Sequence, residues 1–246
     1  MSQRTPALVG ISHGTSSEAG RAAVRGLHAA VAEAVAQRDP DAPPSVRLGH
    51  VDVEQTDEPV TLASLEPDEP AVVVPLLLSA GYHVFVDLTE AVAAEATRPV
   101  VLAAALGPDD RLATVLLRRL EEAGLADDDR VVLAVAGSSD RRAVDDCRDQ
   151  ASRLAAAAGR DVELGFLSAA EPRLPDAVAA ARAVATGGGR VVVANYLLAP
   201  GYFDDLAHAA GADVTARPLL VPDEPAPREL VDVVLDRYLA ASDRLA

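Results

Sequence analysis

Four short signatures occur twice in this chain, in the same order and about 120 residues apart. Gly14-Thr15 is matched by Gly137-Ser138, and the pattern V-x-L-G at 46–49 returns at 162–165. Gly81-Tyr82 is matched by Gly201-Tyr202, and Pro108-Asp109 by Pro222-Asp223. Ordered matches at near-constant spacing mark an internal duplication, so both halves must adopt the same fold. The acidic stretch "GLADDDR" at 124–130 reads as the linker between copies. It sets a first lobe over residues 1–124 and a second over 130–246.

Within each copy, apolar β-branched runs alternate with alanine-rich helical patterns. "ALVGI" (7–11) ends in "SHGTSS", whose serines and threonine suit the cap of a helix over about 17–38. Strands are expected at 45–53, 71–78 and 99–106, with helices at 88–96 and through "RLATVLLRRLEEAG". The second half runs through the same order, from "RVVLAVAGSS" to a terminal helix. Strands that read as unbroken apolar runs are buried on both faces, as in parallel sheets covered by helices. Aromatics make up only 3% of the chain and tryptophan is absent, which suits thin helices on narrow strands. The expected fold is α/β: two duplicated βα lobes, each an open four-stranded parallel sheet with helices on both faces. Such sheets bind ligands beyond the carboxyl ends of their strands.

Charge and composition exclude several functions. The formal net charge is −16, so nucleic acid or an anionic membrane surface would meet a repulsive field. All 22 basic residues are arginine, which removes Schiff-base lysines and the phosphate-binding lysine of a P-loop. No apolar run reaches the roughly 20 residues of a membrane span, and "MSQRTPALVG" carries no leader-like apolar region. The single cysteine, Cys147, lies in the charged run "DDCRDQ", expected on a helix surface, and a lone free thiol fits the cytoplasm. "GISHGTSSEAG" lacks the G-x-G-x-x-G spacing of a dinucleotide site, and "GGG" at 187–189 precedes a strand, as a turn would. A histidine phosphatase would require an arginine where Ser12 stands.

Two of the five histidines follow strands of the first copy: His13 after the first strand and His83 after the third. Both are expected on one rim of one sheet. The duplication supplies an internal control. His13 is matched by Ala136 and His83 by Phe203, although the neighbouring glycines and tyrosine are retained. Structural needs would persist in both copies, so the imidazoles read as chemistry confined to the first. His28 and His208 fall inside helical patterns and read as surface or packing residues.

"LVGISHGTSS" followed some 70 residues later by "VPLLLSAGYHVFVDL" resembles the sirohydrochlorin chelatases of the CbiX type, class II chelatases that insert a divalent metal into a tetrapyrrole. The two-lobe design is similar to the long members and covers the whole chain. The resemblance implies an active-site cleft between the lobes and gives His13 and His83 two roles, as ligands of the incoming metal and as acid-base groups. It makes Asp52 the functional carboxylate after the second strand. Where members read F-L-E-x-A-E-P, this copy reads "HVDVEQTDEP" and the second reads "FLSAAEP", with Ser168 at the acid position. Glu54 and His50 therefore stay open beside Asp52 as the third group.

The resemblance further implies substrate contacts at Gly14, Thr15, Ser79, Gly81 and Tyr82, with "GYHVFV" lining a pocket for a flat ring. Arg141 and Arg142, at the start of the matching helix of the second copy, either meet substrate carboxylates or pair with Asp145 and Asp146 at helical spacing. Two neutral imidazoles suit cobalt or ferrous iron and can release it again, as a closed four-ligand site could not. Apolar surroundings would keep His83 neutral by desolvation. The implied cargo is cobalt or ferrous iron as substrate, with no permanently bound cofactor, in a monomer that is an internal pseudo-dimer. The competing reading is a carrier that binds metal or tetrapyrrole in the same cleft without turnover.

Overall fold

The computed structural model describes residues 5–51, 57–79, 82–185 and 188–245, with residue 58 and residues 82–87 described through their backbone. The first copy runs β1 (Ala7–Ser12), α1 (Glu18–Arg38), β2 (Val46–His50), α2 (Glu58–Ala63), β3 (Ala71–Pro75), α3 (Tyr82–Ala94), β4 (Val100–Leu102) and α4 (Asp110–Glu122). The second runs β5 (Arg130–Val135), α5 (Arg141–Ala158), β6 (Val162–Phe166), α6 (Leu174–Val184), β7 (Val191–Tyr196), α7 (Tyr202–His208), β8 (Val214–Thr215) and α8 (Arg228–Ser242). Each copy forms a four-stranded parallel sheet, in the orders β2-β1-β3-β4 and β6-β5-β7-β8. The central strands β1, β3 and β7 are buried at every residue, which is why they read as unbroken apolar runs.

Local chemistry sets the elements. Ser17 caps α1 by accepting from Gly20 N at 3.2 Å, and Ala23, Val24, Leu27, Val31 and Val35 form its buried stripe. Helix α2 has one Asp57 cap and six residues, too few to show a period, and it was not expected from sequence. Helix α3 starts at Tyr82, where a helix from 88 was expected, because "YHVFV" is apolar without a break and hides the start. His83 thus sits in a first helical turn, not in the loop. Cys147, expected on the surface, is buried on the inner stripe of α5 with Ala143, Gln150, Ala151 and Leu154. Burial pushes its thiol up to about 12, which leaves it unreactive.

The last helix of each copy covers the other copy's sheet. Helix α4 packs on α5 and β7, whereas α8 packs on α1, β3 and β4. One continuous core follows, joining Leu8, Val72 and Val74 of the first sheet to Leu133, Val192 and Tyr196 of the second through α1, α4, α5 and α8. The outer faces close separately, the first sheet over Leu62 and Leu88, the second over Leu174 and Val178. Polar groups pin the exchange. Arg237 of α8 donates to Ala105 O (2.8 Å) and Leu106 O (2.9 Å), and Arg118 of α4 pairs with Glu229 of α8 through two bonds of 3.0 Å.

The acidic stretch between copies is anchored through one buried carboxylate. Asp129 accepts from Ala126 N (2.9 Å), Arg190 N (3.0 Å) and Arg190 Nη2 (2.6 Å). The Arg190 hydrogen bonds hold its carboxyl down to about 2, against an ordinary value of 3.8. A depressed folded pKa contributes stability that is complete above the unfolded value and is lost as pH falls through the folded one. Asp129→Asn is therefore expected to cost about 2 kcal/mol at neutral pH. The gap to the parent protein should close between about pH 4 and pH 2. Urea midpoints across that range measure it, and a constant gap would assign the loss to packing.

Candidate functional site

The strand order fixes where the first copy can act. From β1 the chain moves outward to β2 on one side, and from β3 it moves outward to β4 on the other. The carboxyl ends of β1 and β3, adjacent in register through Ile11 and Pro75, are the switch point where open α/β sheets form a crevice. His13 is the first residue after β1 and is exposed. His83 lies in the first turn of α3, reached from β3 through Ser79. The backbone thus brings both histidine-bearing segments to the crevice. Asp52, Glu54 and Gly81 lie outside the described residues, as do the side chains of Tyr82 and His83.

The loop after β1 is built tightly. Gly14 adopts the left-handed region (φ 87°), and its counterpart Gly137 does the same (φ 91°), which explains why this glycine survived in both copies. Gly14 N donates to Ser12 Oγ at 3.3 Å, and Ser12 Oγ lies 2.8 Å from His50 Nδ1. Ser12 is buried at the end of β1, directly paired in register with His50 of β2. The hydroxyl thus bridges the Gly14 backbone and the His50 ring, fixing which edge of the imidazole faces β1. His50 is therefore a held imidazole one strand away from His13, and Ser12, unmarked in sequence, is its holder. Among the described residues no three His, Cys, Asp or Glu side chains converge as a metal cage.

The second copy has closed the equivalent loop on itself. Ser168, at the acid position, donates from both N (2.9 Å) and Oγ (2.8 Å) to Ala136 O, the residue standing where His13 stands. Ser138 Oγ accepts from Asp140 N at 3.0 Å. Arg142 pairs with Asp140, the cap of α5, at 3.0 Å, and the exposed Arg141 lies 3.9 Å from Asp145. His28 sits half-buried in α1, where desolvation lowers its pKa, and His208 stands on α7 at 3.5 Å from Asp204.

The copies meet at the candidate site. A side chain on Gly20 would strike Pro200 O, and one on Gly201 would lie 3.3 Å from Thr15 Oγ1. The loop after β7 therefore abuts the loop that carries His13. An open groove of about 490 Å³ between α5 and β6, away from this junction, is lined by Arg148, Ser152, Asp161 and Leu164 and holds no histidine among its lining residues.

Two parallel 2-1-3-4 sheets in tandem, reciprocally covered, with two histidine-bearing segments at the switch point of one, define a duplicated α/β protein. The CbiX family model matches residues 7–123 and again 130–246, and the chain belongs to that family. Among solved structures, SirB from Bacillus subtilis with Fe3+ aligns over 98% of this chain and 97% of its own at 17% identity, with a TM-score of 0.75. The sirohydrochlorin chelatase SirB from Bacillus subtilis subspecies spizizenii in complex with cobalt aligns over 98% and 96% at 16% identity, TM-score 0.69. The multi-domain DR2241 from Deinococcus radiodurans, with structural similarity to chelatases, aligns over 95% of this chain and 54% of its own at 18% identity, TM-score 0.64. No curated protein sequence matches the chain. Among the described residues no helix is long and apolar enough to cross a membrane.

Proposed function

We propose that the protein is a sirohydrochlorin chelatase, a lyase that inserts cobalt or ferrous iron into the tetrapyrrole during siroheme or cobalamin formation. The observation that carries this reading is the placement of two histidine-bearing segments at one switch point, in the copy that kept its imidazoles. The two SirB structures, one with Fe3+ and the other, described as a sirohydrochlorin chelatase, with cobalt, support it.

An incoming divalent ion must exchange water for ring nitrogens, and the ring must lose two pyrrole protons. His13 and His83 take the metal as neutral borderline ligands, and an imidazole not occupied by metal accepts a proton from the ring. Asp52 is the carboxylate assigned to this rim, with Glu54 and the Ser12-held His50 as the alternatives. Gly14, Thr15, Ser79, Gly81 and Tyr82 face the tetrapyrrole. Arg141 and Arg142 meet its carboxylates at the cost of weak, exposed pairs with Asp145 and Asp140, which water screens. The metal is cargo and no resident cofactor is needed. The copies, residues 1–124 and 130–246, act as a pseudo-dimer in a cytoplasmic monomer that touches neither nucleic acid nor membrane.

The test is turnover. With sirohydrochlorin and cobalt or ferrous ion in excess, the absorption of the metallated ring should grow over many equivalents per protein, and cobalt should be no slower than iron, since imidazole and carboxylate set no softness filter against either. A change that stops at one equivalent would identify a carrier.

A further inference from the structure

Three of the seven aromatic residues, Phe166, Tyr196 and Tyr238, are buried in the core. The other four are Tyr82 and Phe85 at the start of α3, and Tyr202 and Phe203 at the start of α7. The four remaining aromatics of the sequence thus fall on two equivalent helical turns. In the second copy those rings are exposed, Tyr202 at 72% and Phe203 at 37%, with centroids 5.8 Å apart and planes tilted by 44°. Phe203 occupies the position that His83 holds in the first copy. The turn is not remote from the candidate site, because Gly201, directly before it, abuts Thr15.

We infer that Tyr202 and Phe203 form an aromatic platform that holds the flat face of the tetrapyrrole across the cleft from the histidines, an assignment that rests on the chelatase reading. Surrounding charge selects a ring face over a carboxylate rim. Asp205 is exposed on the same turn, and Asp204 is drawn inward, accepting from Asn195 Nδ2 at 2.7 Å with His208 Nε2 at 3.5 Å. An acidic turn repels the anionic edge of such a substrate, while two exposed rings offer stacking to its macrocycle. The duplication thereby divides its labour: one copy presents imidazole to the metal, and at the same position the other presents a phenyl ring to the tetrapyrrole.

The experiment is an absorbance titration of the full chain with metal-free sirohydrochlorin, paired with steady-state insertion of cobalt. The double variant Tyr202→Ala/Phe203→Ala should raise the Kd and the KM for sirohydrochlorin about tenfold while leaving the KM for cobalt unchanged. Tyr202→Phe, which keeps the ring, should bind as the parent does, a split that a merely structural role would not give. Unchanged Kd in the double variant, with the parent turning over, overturns the platform and leaves the chelatase reading standing. An equal loss in Tyr202→Phe would assign the binding to the hydroxyl and also overturn it. If the parent binds sirohydrochlorin without turnover and the double variant still loses tenfold, the platform stands and catalysis falls. A parent that does not bind it overturns both.

Discussion

His83→Ala and His13→Ala each reduce metal insertion into sirohydrochlorin by about 10²-fold or more, the scale expected when a metal ligand or proton acceptor is removed. For His13 the loss should come without cost to the fold. The side chain is exposed beyond β1, and the loop is held by Gly14, Ser12 and Ser17 through bonds that do not use the imidazole. Urea midpoints of the His13 variant should match those of the parent. His208→Ala serves as the control, because that imidazole stands on the outer helix α7 beside Asp204 and should leave turnover unchanged. Titration with cobalt in the absence of tetrapyrrole separates ligation from proton transfer, since a ligand variant loses metal affinity and a pure base variant keeps it. Near-parental turnover with unchanged cobalt affinity in either variant would remove the two-histidine site.

How far the sequence discloses this protein can be read from particular residues. The duplication was visible in letters because a left-handed glycine is needed at 14 and again at 137, and no other residue adopts that conformation as cheaply. The repeat of Pro108-Asp109 as Pro222-Asp223 was less informative than it looked. Asp109 caps α4 by accepting from Arg111 N, whereas α8 starts after Pro227. The parallel sheets were legible because strands buried on both faces have no polar alternation to obscure them. The exchange of α4 and α8 was not, since an apolar stripe states that a helix will be covered and is silent about which sheet covers it. Cys147 misled for a related reason. Its neighbours Asp145, Asp146 and Arg148 are charged, but at 3.6 residues per turn they point elsewhere, while Ala143, Gln150, Ala151 and Leu154 share its face. In the site, the contrast of His13 with Ala136 and of His83 with Phe203 singled out the histidines. The same contrast held Phe203 in view, yet its role emerges only with the exposure of the ring and the contact of Gly201 with Thr15.

Gly107→Ala should destabilise the protein by about 3 kcal/mol and slow insertion with it. A methyl group at this position would collide with Tyr196 Oη and with Leu78 O, at 2.5 Å from the latter, and Leu112 Cδ1 stands 3.3 Å away. Backbone oxygen cannot rotate aside, and the tyrosine has nowhere to go. Its ring is buried among core residues at the end of β7, and its hydroxyl donates to Leu78 O at 3.1 Å with Gln150 Oε1 at 3.4 Å. Burial raises the phenol well above its ordinary value, so it remains a donor throughout the working pH range. That bond ties the second sheet to the first, one residue before Ser79 and the segment that leads to His83. The second copy carries Val221 before its own Pro-Asp pair, so the glycine is not a requirement of the repeat. Tyr196→Phe separates the two consequences. It leaves Leu78 O without its donor and no clash, and should cost about 1 kcal/mol, with a smaller loss of turnover. Urea midpoints and steady-state rates on both variants decide the matter. If Gly107→Ala keeps parental stability, the close approach of the two copies at Leu78 is wrong. If Tyr196→Phe lowers turnover as far as Gly107→Ala does, the hydroxyl itself, and not the spacing of the copies, governs the His83 segment.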